Sequence, residues 1–358
     1  MTVHVIAYDT ANPGDVSALV RSLDAFKPGQ VRRLALLVKT EGNSDVNDFS
    51  REFGMLSAQQ ALARWGGEAL LARSTFLFST GCEGAMTPLG YLFIDVEDGS
   101  ESGSSTRKAL AIGCARSRSL TGDEIGTPDH ADIVAETVRA AMRDAGVEAA
   151  DVAVVIVKTP VMSHVAAVDT DKKKKKRITS GYSKAVGALG AGVALGEVDR
   201  SRIVQEAFNQ DIDLHSRRAM VFSGSELDCV EIMLLANRAG NAGSLSVHTG
   251  YISDILDADG IKTMLKNAGC SIDAAGHLKD GDRVVALLVK GGVAPDGSVR
   301  GQRTTIKSSH LDADKHIRAT LSGVIGSIMG HCRAFISANT VHQAPPGGGL
   351  CACVVRNL

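Results

Sequence analysis

Three apolar runs that each end in a lysine decide how this chain folds: LALLVK (34–39), VAVVIVK (152–158) and VVALLVK (284–290). Later in each third of the chain a second apolar run ends in a serine: FLFS (76–79), MVFS (220–223) and AFIS (334–337). Short apolar runs of this kind are typical of buried strands. A pattern that occurs once in each third of the chain predicts three copies of one unit, each with a lysine and a serine at strand ends.

The segments around these runs predict the same order of elements in every unit, β-α-β-α-β-β. The lysine ends the second strand and the serine ends the third. We place the units at 1–100, 107–238 and 244–358. A single unit would leave strand edges open, and three units joined in a ring would cover them. We therefore predict an α/β protein in which three pseudo-threefold-related units form one barrel-like domain with the helices outside.

Composition and charge argue against several classes of function. The chain has 358 residues, of which 44% are apolar, so it can build a large core. The formal net charge of −1 gives no electrostatic reason to bind nucleic acid or a membrane surface. No apolar run approaches the roughly 20 residues that span a bilayer, and the N-terminus lacks the pattern of a secretory signal. The lysine-rich segment 169–177 is interpreted as a solvated loop.

The cysteines indicate the compartment. The seven cysteines are scattered, and no two of them are spaced as C-x2-C. Neither a disulfide framework nor a zinc site is expected from such a distribution. We expect a reduced, cytoplasmic protein.

A lysine beside a serine can perform nucleophilic catalysis. The hydroxyl is a weak nucleophile until a base takes its proton, and a lysine can be that base when burial or a nearby cation lowers its pKa. A glycine after the serine leaves backbone N–H groups available for an oxyanion, as at Gly81 and Gly224. Any one of these lysines could simply reach solvent from a strand end. Its recurrence in all three units favours a functional role.

Several motifs resemble the cyanuric acid hydrolase/barbiturase family of ring-opening amidohydrolases. They span nearly the whole chain in family order: KTEGN (39–43), VNDFSR (46–51), STGCEG (79–84), GYS (181–183), PDG (295–297), VRG (299–301), HQ (342–343) and GGG (347–349). The resemblance implies hydrolysis of a cyclic amide or imide, such as cyanuric acid or barbiturate, by serine attack on a ring carbonyl. It also implies a homo-oligomer and a small heterocyclic substrate as the partner.

The resemblance assigns roles to the repeated residues. Lys158 is the predicted base and Ser223 the predicted nucleophile, while Lys39, Ser79, Lys290 and Ser337 would polarise the other ring carbonyls. A basic residue that heads the second helix of each unit would hold a ring oxygen, and the residues that follow the serines complete the predicted binding set. These residues are Arg51, Lys184, Lys315, Thr80, Gly81, Gly224 and Ala338.

The chain departs from the family at informative positions. The S-x-G-x-E pattern of the family's serine turns fits 79–83, but in the second unit it would place Phe222 at the serine position. We align Ser223 instead, because it ends its strand as Ser79 and Ser337 do. In the third unit Asn339 and Val341 replace the glycine and the glutamate.

The resemblance also bears on cofactors and on alternatives. No cofactor is required for the chemistry, and Gly292 stands where the family has a glutamate near a structural metal held by the C-terminal loop. This glycine argues against a divalent metal there. Two alternatives stay open: a sibling hydrolase for a less symmetric heterocycle, and a non-catalytic protein that binds a small heterocycle.

Overall fold

A computed structural model describes residues 2–43, 47–97, 108–161 and 179–357. The lysine-rich segment 169–177 lies outside the described residues. Among the residues described, no helix combines the length and the apolar character needed to cross a membrane.

Each third of the chain builds the same order of elements, and the first third adds one short helix, α3 (Glu68–Ala72). The first comprises β1 (Thr2–Asp9), α1 (Ser17–Leu23), β2 (Val31–Thr40), α2 (Ser50–Gly66), α3 (Glu68–Ala72), β3 (Ser74–Thr80) and β4 (Leu89–Val96). The second comprises β5 (Lys108–Ser119), α4 (Pro128–Ala145), β6 (Val152–Pro160), α5 (Ser180–Ala194), β7 (Ala219–Gly224) and β8 (Cys229–Ala239). The third comprises β9 (Leu245–Ile252), α6 (Ala258–Asn267), β10 (Val284–Gly291), α7 (Ala313–Met329), β11 (Phe335–Ala338) and β12 (Gly349–Arg356).

The three four-stranded sheets share one topology, with strand orders β1-β4-β2-β3, β5-β8-β6-β7 and β9-β12-β10-β11. In each sheet the lysine strand lies between an antiparallel neighbour and the parallel strand that carries the serine position. Because parallel strands end at the same edge of a sheet, the lysine and the residue opposite it lie side by side. A short 3₁₀ turn precedes every lysine strand: Pro28–Gln30, Ala149–Asp151 and Gly281–Arg283.

Alternation along the strands places the core on both faces of each sheet. The inner faces of all three sheets contribute to one apolar cluster, which includes Leu37, Ile156 and Leu288. The outer faces form separate clusters with the helices of their own unit. Strands buried on both faces are expected to be continuously apolar, as the three lysine runs are. The predicted fold class, three related units around a common interior with helices outside, is confirmed.

Local sequence signals fix both ends of α4. In α4, Thr127 caps the N-terminus through its side chain, and Pro128 occupies the first turn, where a missing N–H costs nothing. Gly146 ends the same helix in the left-handed conformation with φ of 65°. The helix thus has defined limits, and its apolar side packs on the second sheet.

Candidate active site

Three buried lysines lie at the ends of the central strands. Lys39, Lys158 and Lys290 are only 0%, 2% and 1% exposed. Lys39 lies opposite Ser79 in the parallel ladder, and Lys290 lies opposite Ser337 in the same way. Lysines are rarely buried this completely, so each ammonium or amine group requires a partner within the protein.

The first and third units each form a Lys–Ser pair. Lys39 Nζ lies 3.1 Å from Ser79 Oγ and donates to Thr80 O at 2.6 Å. In the third unit, Lys290 Nζ lies 3.2 Å from Ser337 Oγ and donates to Ala338 O at 2.6 Å. The matching contacts show that the two units hold the same chemical group in the same way.

Burial lowers the pKa of both of these lysines well below the ordinary value. For Lys39 the charge of Arg318 adds to the effect of burial, and for Lys290 the charge of Lys184 does so. Neither Lys39 nor Lys290 has a carboxylate within ion-pair distance among the described residues. A lysine with a depressed pKa holds a larger fraction of neutral amine, which is the form that accepts a proton.

The second unit is built differently. Lys158 lies opposite Phe222, and Ser223 lies opposite Thr159 one position further on. Lys158 Nζ donates to Phe78 O at 2.7 Å and forms an ion pair with Glu226. The Ser223 hydroxyl instead contacts the Ser180 hydroxyl at 2.7 Å.

The alignment of Ser223 with Ser79 and Ser337 is therefore wrong, and the predicted Lys158–Ser223 pair is not formed. The reason is that the second apolar run extends one residue further before it reaches a polar side chain. The S-x-G-x-E register holds instead, with Phe222 at the serine position and Glu226 at the glutamate position. This glutamate is a site residue that the strand-phase argument missed.

Ion pairs at the helix starts join neighbouring units. Arg318 forms a two-pronged contact with Glu83, in which Nη2 donates to Oε1 at 2.7 Å. Arg51 Nε lies 3.4 Å from Glu226 Oε2. In the third case Lys184 Nζ lies 3.4 Å from Asp314 Oδ2.

Arg318, and not the predicted anchor Lys315, is the basic residue of α7 that forms one of these ion pairs. Arg318, three residues further along α7, reaches the first unit's turn, and a Cβ at Gly81 would lie 2.7 Å from its Nη2 atom. Residues three apart share a helix face, so the basic position could have been shifted by one turn in the sequence. The predicted basic positions Arg51 and Lys184 both lie at such junctions.

The turn residues of the predicted binding set lie where the strands end. Gly81 has φ of 99°, a conformation that side chains rarely adopt, and its N–H donates to Thr40 O. A Cβ at Gly224 would lie 1.9 Å from Glu226 Oε2, so only glycine leaves room for that carboxylate. Asn339 takes the left-handed conformation with φ of 68°, which asparagine tolerates better than most residues. Thr80 and Ala338 contribute the backbone carbonyls that the lysines contact.

An open cleft of about 660 Å³ reaches this region from the surface. It lies between the N-terminal ends of α5 and α7, where Lys184 and Asp314 meet, and its wall includes Asn339 and Thr340 of the third unit's turn. Lys184 lines this cleft, and its charge helps to lower the pKa of both Lys39 and Lys290.

The C-terminal loop does not offer the carboxylate that a family-type metal would need. A Cβ at Gly292 would lie 2.1 Å from Thr340 Oγ1, so the Thr340 side chain occupies the space of a longer residue there. The Thr340 hydroxyl donates to Gly348 O at 2.9 Å and so holds the loop directly. Across the described ranges no three His, Cys, Asp or Glu side chains form a metal-binding group. The residues present do not fit the metal.

The His-Gln motif of the resemblance anchors this loop to the second unit. Val221 N donates to Gln343 Oε1 at 2.7 Å, and Asn209 N donates to His342 Nε2 at 2.9 Å. His342 Nδ1 therefore carries the proton and donates to Leu214 O. Both side chains are buried, which makes the motif a structural link between units.

A fold of three concatenated units with strand-end lysines around one interior defines a distinct class of α/β protein. Solved structures share it over the whole chain: one of cyanuric acid hydrolase, described as an evolutionary innovation by structural concatenation, has a TM-score of 0.88 at 29% identity and covers 99% of each chain. A crystal structure of cyanuric acid hydrolase from A. caulinodans has a TM-score of 0.87 at 31% identity, covering 100% of this chain and 99% of that one.

Sequence comparison gives the family. The profile of the amidohydrolase ring-opening protein family matches residues 3–356. A cyclic amide hydrolase of Azorhizobium caulinodans is 33% identical, with 99% of each chain covered. A cyanuric acid amidohydrolase of Enterobacter cloacae is 31% identical, with 99% of this chain and 100% of that protein covered. The chain belongs to the ring-opening amidohydrolase family.

Proposed function

We propose that the protein hydrolyses a C–N bond of a cyclic amide or imide, with a serine as nucleophile and a lysine as base. The observation that carries this proposal is the pair of buried Lys–Ser contacts, 3.1 Å at Lys39–Ser79 and 3.2 Å at Lys290–Ser337. The names of the relatives, cyanuric acid amidohydrolase and cyclic amide hydrolase, support the reaction class.

Ser79 is the nucleophile that we propose, with Lys39 as its base. Ser79 is half-buried, whereas Ser337 is only 5% exposed. The turn after Ser79 also keeps the family glycine, Gly81, and lies against the cation of Arg318. The greater exposure of Ser79 favours it as the nucleophile, and the Arg318 cation beside Gly81 would stabilise an oxyanion that forms there.

The reaction then runs in two halves. Neutral Lys39 takes the proton of Ser79 as Oγ bonds to the ring carbonyl carbon, and the C–N ring bond breaks as the nitrogen receives that proton. This gives an open-chain acyl-serine. Water next attacks the ester carbonyl, Lys39 takes its proton, and the bond to Oγ breaks as the proton returns to the serine.

The other charged groups hold the ring. Ser337 and Lys290 would polarise a second carbonyl, because they form the matching pair across the axis. Lys184 would attract the ring oxygens from the cleft side. Placing the ring between fixed donors raises the effective concentration of the reacting groups.

Kinetics of matched serine variants test the assignment. Ser79→Ala is expected to lower kcat by about 10³-fold or more, because the nucleophile is lost. Ser223→Ala is the matched control, since the Ser223 hydroxyl contacts Ser180 and not a lysine. Full loss of activity in Ser223→Ala, with Ser79→Ala still active, would overturn the proposal in favour of the sequence-based assignment.

A further inference from the structure

Three equivalent positions surround the interior of the fold, and they are chemically unequal. The residues opposite the three lysines are Ser79, Ser337 and Phe222. Phe222 belongs to the interior apolar cluster, and Ser79 and Ser337 lie two residues along their strands from Leu77 and Phe335 of that cluster, so the three side chains face the same interior. Two positions carry a hydroxyl beside an amine, and the third carries an aromatic ring.

The Phe222 ring lies beside the Lys290–Ser337 pair of the third unit. Its centroid lies 4.9 Å from Lys290 Nζ and 5.0 Å from the ring of Phe335. The Lys158 amine cannot substitute for a lost serine there, because it is engaged with Glu226 and Phe78 O. The third position therefore offers an apolar surface where the other two positions offer a hydroxyl and an amine.

A six-membered ring held at a threefold axis directs its alternate atoms at the three positions. A carbonyl directed at Phe222 would lose its hydrogen bonds to water and would meet no Lys–Ser pair in exchange. That loss corresponds to about 10- to 100-fold weaker transition-state binding for a ring with a third carbonyl. A C–H group in the same place would instead pack favourably on the aromatic ring.

Resting on the proposed function, we infer that the substrate is a six-membered cyclic imide or ureide with carbonyls at two alternate ring positions and CH₂ or CH at the third. Glutarimide and 5,6-dihydrouracil have this pattern. The two carbonyls face the Lys39–Ser79 and Lys290–Ser337 pairs, and the carbon-bound hydrogens face Phe222.

The chemistry of this class balances with the groups present. Ser79 Oγ bonds to one carbonyl carbon, the adjacent ring C–N bond breaks, and the nitrogen takes the proton that Lys39 received from the serine. Water then completes the hydrolysis, and the product is an open chain with one carboxylate and one amide or urea group. No oxidant, reductant or further co-reactant is consumed.

A substrate panel with the unmodified protein tests the inference. We would measure kcat/KM for glutarimide, 5,6-dihydrouracil, barbituric acid and cyanuric acid. At least one of the two-carbonyl rings is expected to exceed both three-carbonyl rings by about tenfold or more. Equal or faster turnover of cyanuric acid or barbituric acid would overturn this inference and leave the proposed function intact. Turnover of none of the four would overturn both.

Two variants at position 222 separate polarity from size. Phe222→Ser restores a hydroxyl and is expected to shift the ratio of kcat/KM values toward cyanuric acid by about tenfold. Phe222→Leu keeps an apolar side chain and is expected to keep the preference for two-carbonyl rings. An identical shift in both variants, with thermal melting confirming that each is folded, would show that polarity at position 222 does not select the substrate and would overturn the inference.

Discussion

The buried ion pair of the second unit gives a prediction about stability. The side chains of Lys158 and Glu226 are each 2% exposed, and Arg51 approaches the same carboxylate at 3.4 Å. Burial by itself would raise the pKa of Glu226, but the charges of Lys158 and Arg51 outweigh it and hold the pKa below its usual value. The carboxylate is therefore ionised, and both cations depend on it.

Replacing Glu226 by Gln removes the charge while keeping the shape. Removing one partner of a buried pair costs about 3–5 kcal/mol, because the other charge is left without compensation. Burial already lowers the pKa of Lys158, so this lysine can release its proton and limit the loss. We therefore expect a decrease of about 3 kcal/mol in the free energy of unfolding, the lower end of that range.

Urea unfolding followed by circular dichroism measures this decrease. The matched control is Glu83→Gln, since the Glu83 side chain is 21% exposed and should lose less stability when its pair with Arg318 is broken. The double variant Lys158→Met/Glu226→Leu removes both charges of the pair and should recover the part of the loss that is due to Lys158, while Arg51 stays without its carboxylate. A Glu226→Gln variant as stable as the unmodified protein would refute the reasoning, as would a double variant less stable than Glu226→Gln.

Three further predictions concern the other groups. Lys39→Met and Lys290→Met should each raise the unfolding free energy at pH 7, because the folded state holds these lysines at a lowered pKa. Unmodified protein should therefore gain stability as the pH rises toward about 10.4, and the variants should gain less in pH-dependent urea titrations, by about 1.4 kcal/mol for each pH unit that separates the folded pKa from the unfolded one. Arg318→Ala should lower kcat/KM by about 10- to 100-fold in steady-state assays, while an unchanged value would contradict its place beside the reacting carbonyl. Thr340→Val should cost about 1–3 kcal/mol in urea unfolding by leaving Gly348 O unpaired, and EDTA should leave the melting temperature unchanged; a large fall with EDTA would show that a metal holds the loop.

The stabilisation that the Glu226 carboxylate provides should change with pH in a definite direction. Its folded pKa lies below its unfolded value, so the stabilisation is present above pH of about 4.3 and is lost as the pH falls through the folded pKa. The difference between the unmodified protein and Glu226→Gln should accordingly shrink in acid.

The repeat architecture could be read from the sequence because it depends on local patterns. Each lysine run is continuously apolar, and such runs form strands buried on both faces wherever they occur. The order of elements followed from three copies of one pattern, and the Lys39–Ser79 and Lys290–Ser337 pairs followed from the parallel strands that every copy predicts.

The second unit could not be read in the same way. Whether Phe222 or Ser223 faces Lys158 depends on the register between β6 and β7, which lie far apart in sequence, and a shift of one residue exchanges the two faces of a strand. The choice of Arg318 over Lys315 depends on how α7 is rotated against the first unit's turn. The turn of the third unit carries Val341 in place of the glutamate, and Asp314 of α7 supplies the carboxylate that pairs with Lys184 of the second unit. Only the packing of α5 against α7 reveals that this carboxylate comes from a helix and not from the turn.

One measurement tests the central claim, that Ser79 is the nucleophile of a Ser–Lys ring-opening hydrolase, most directly. The protein is acid-quenched during turnover of the fastest ring in the four-substrate panel, digested and examined by mass spectrometry. Ring opening releases no fragment, so the acyl group adds the mass of the whole substrate to the peptide that contains Ser79. The account predicts that adduct on Ser79. The same adduct on Ser223 or Ser337, or product formation without any acyl-serine under single-turnover conditions, would contradict it.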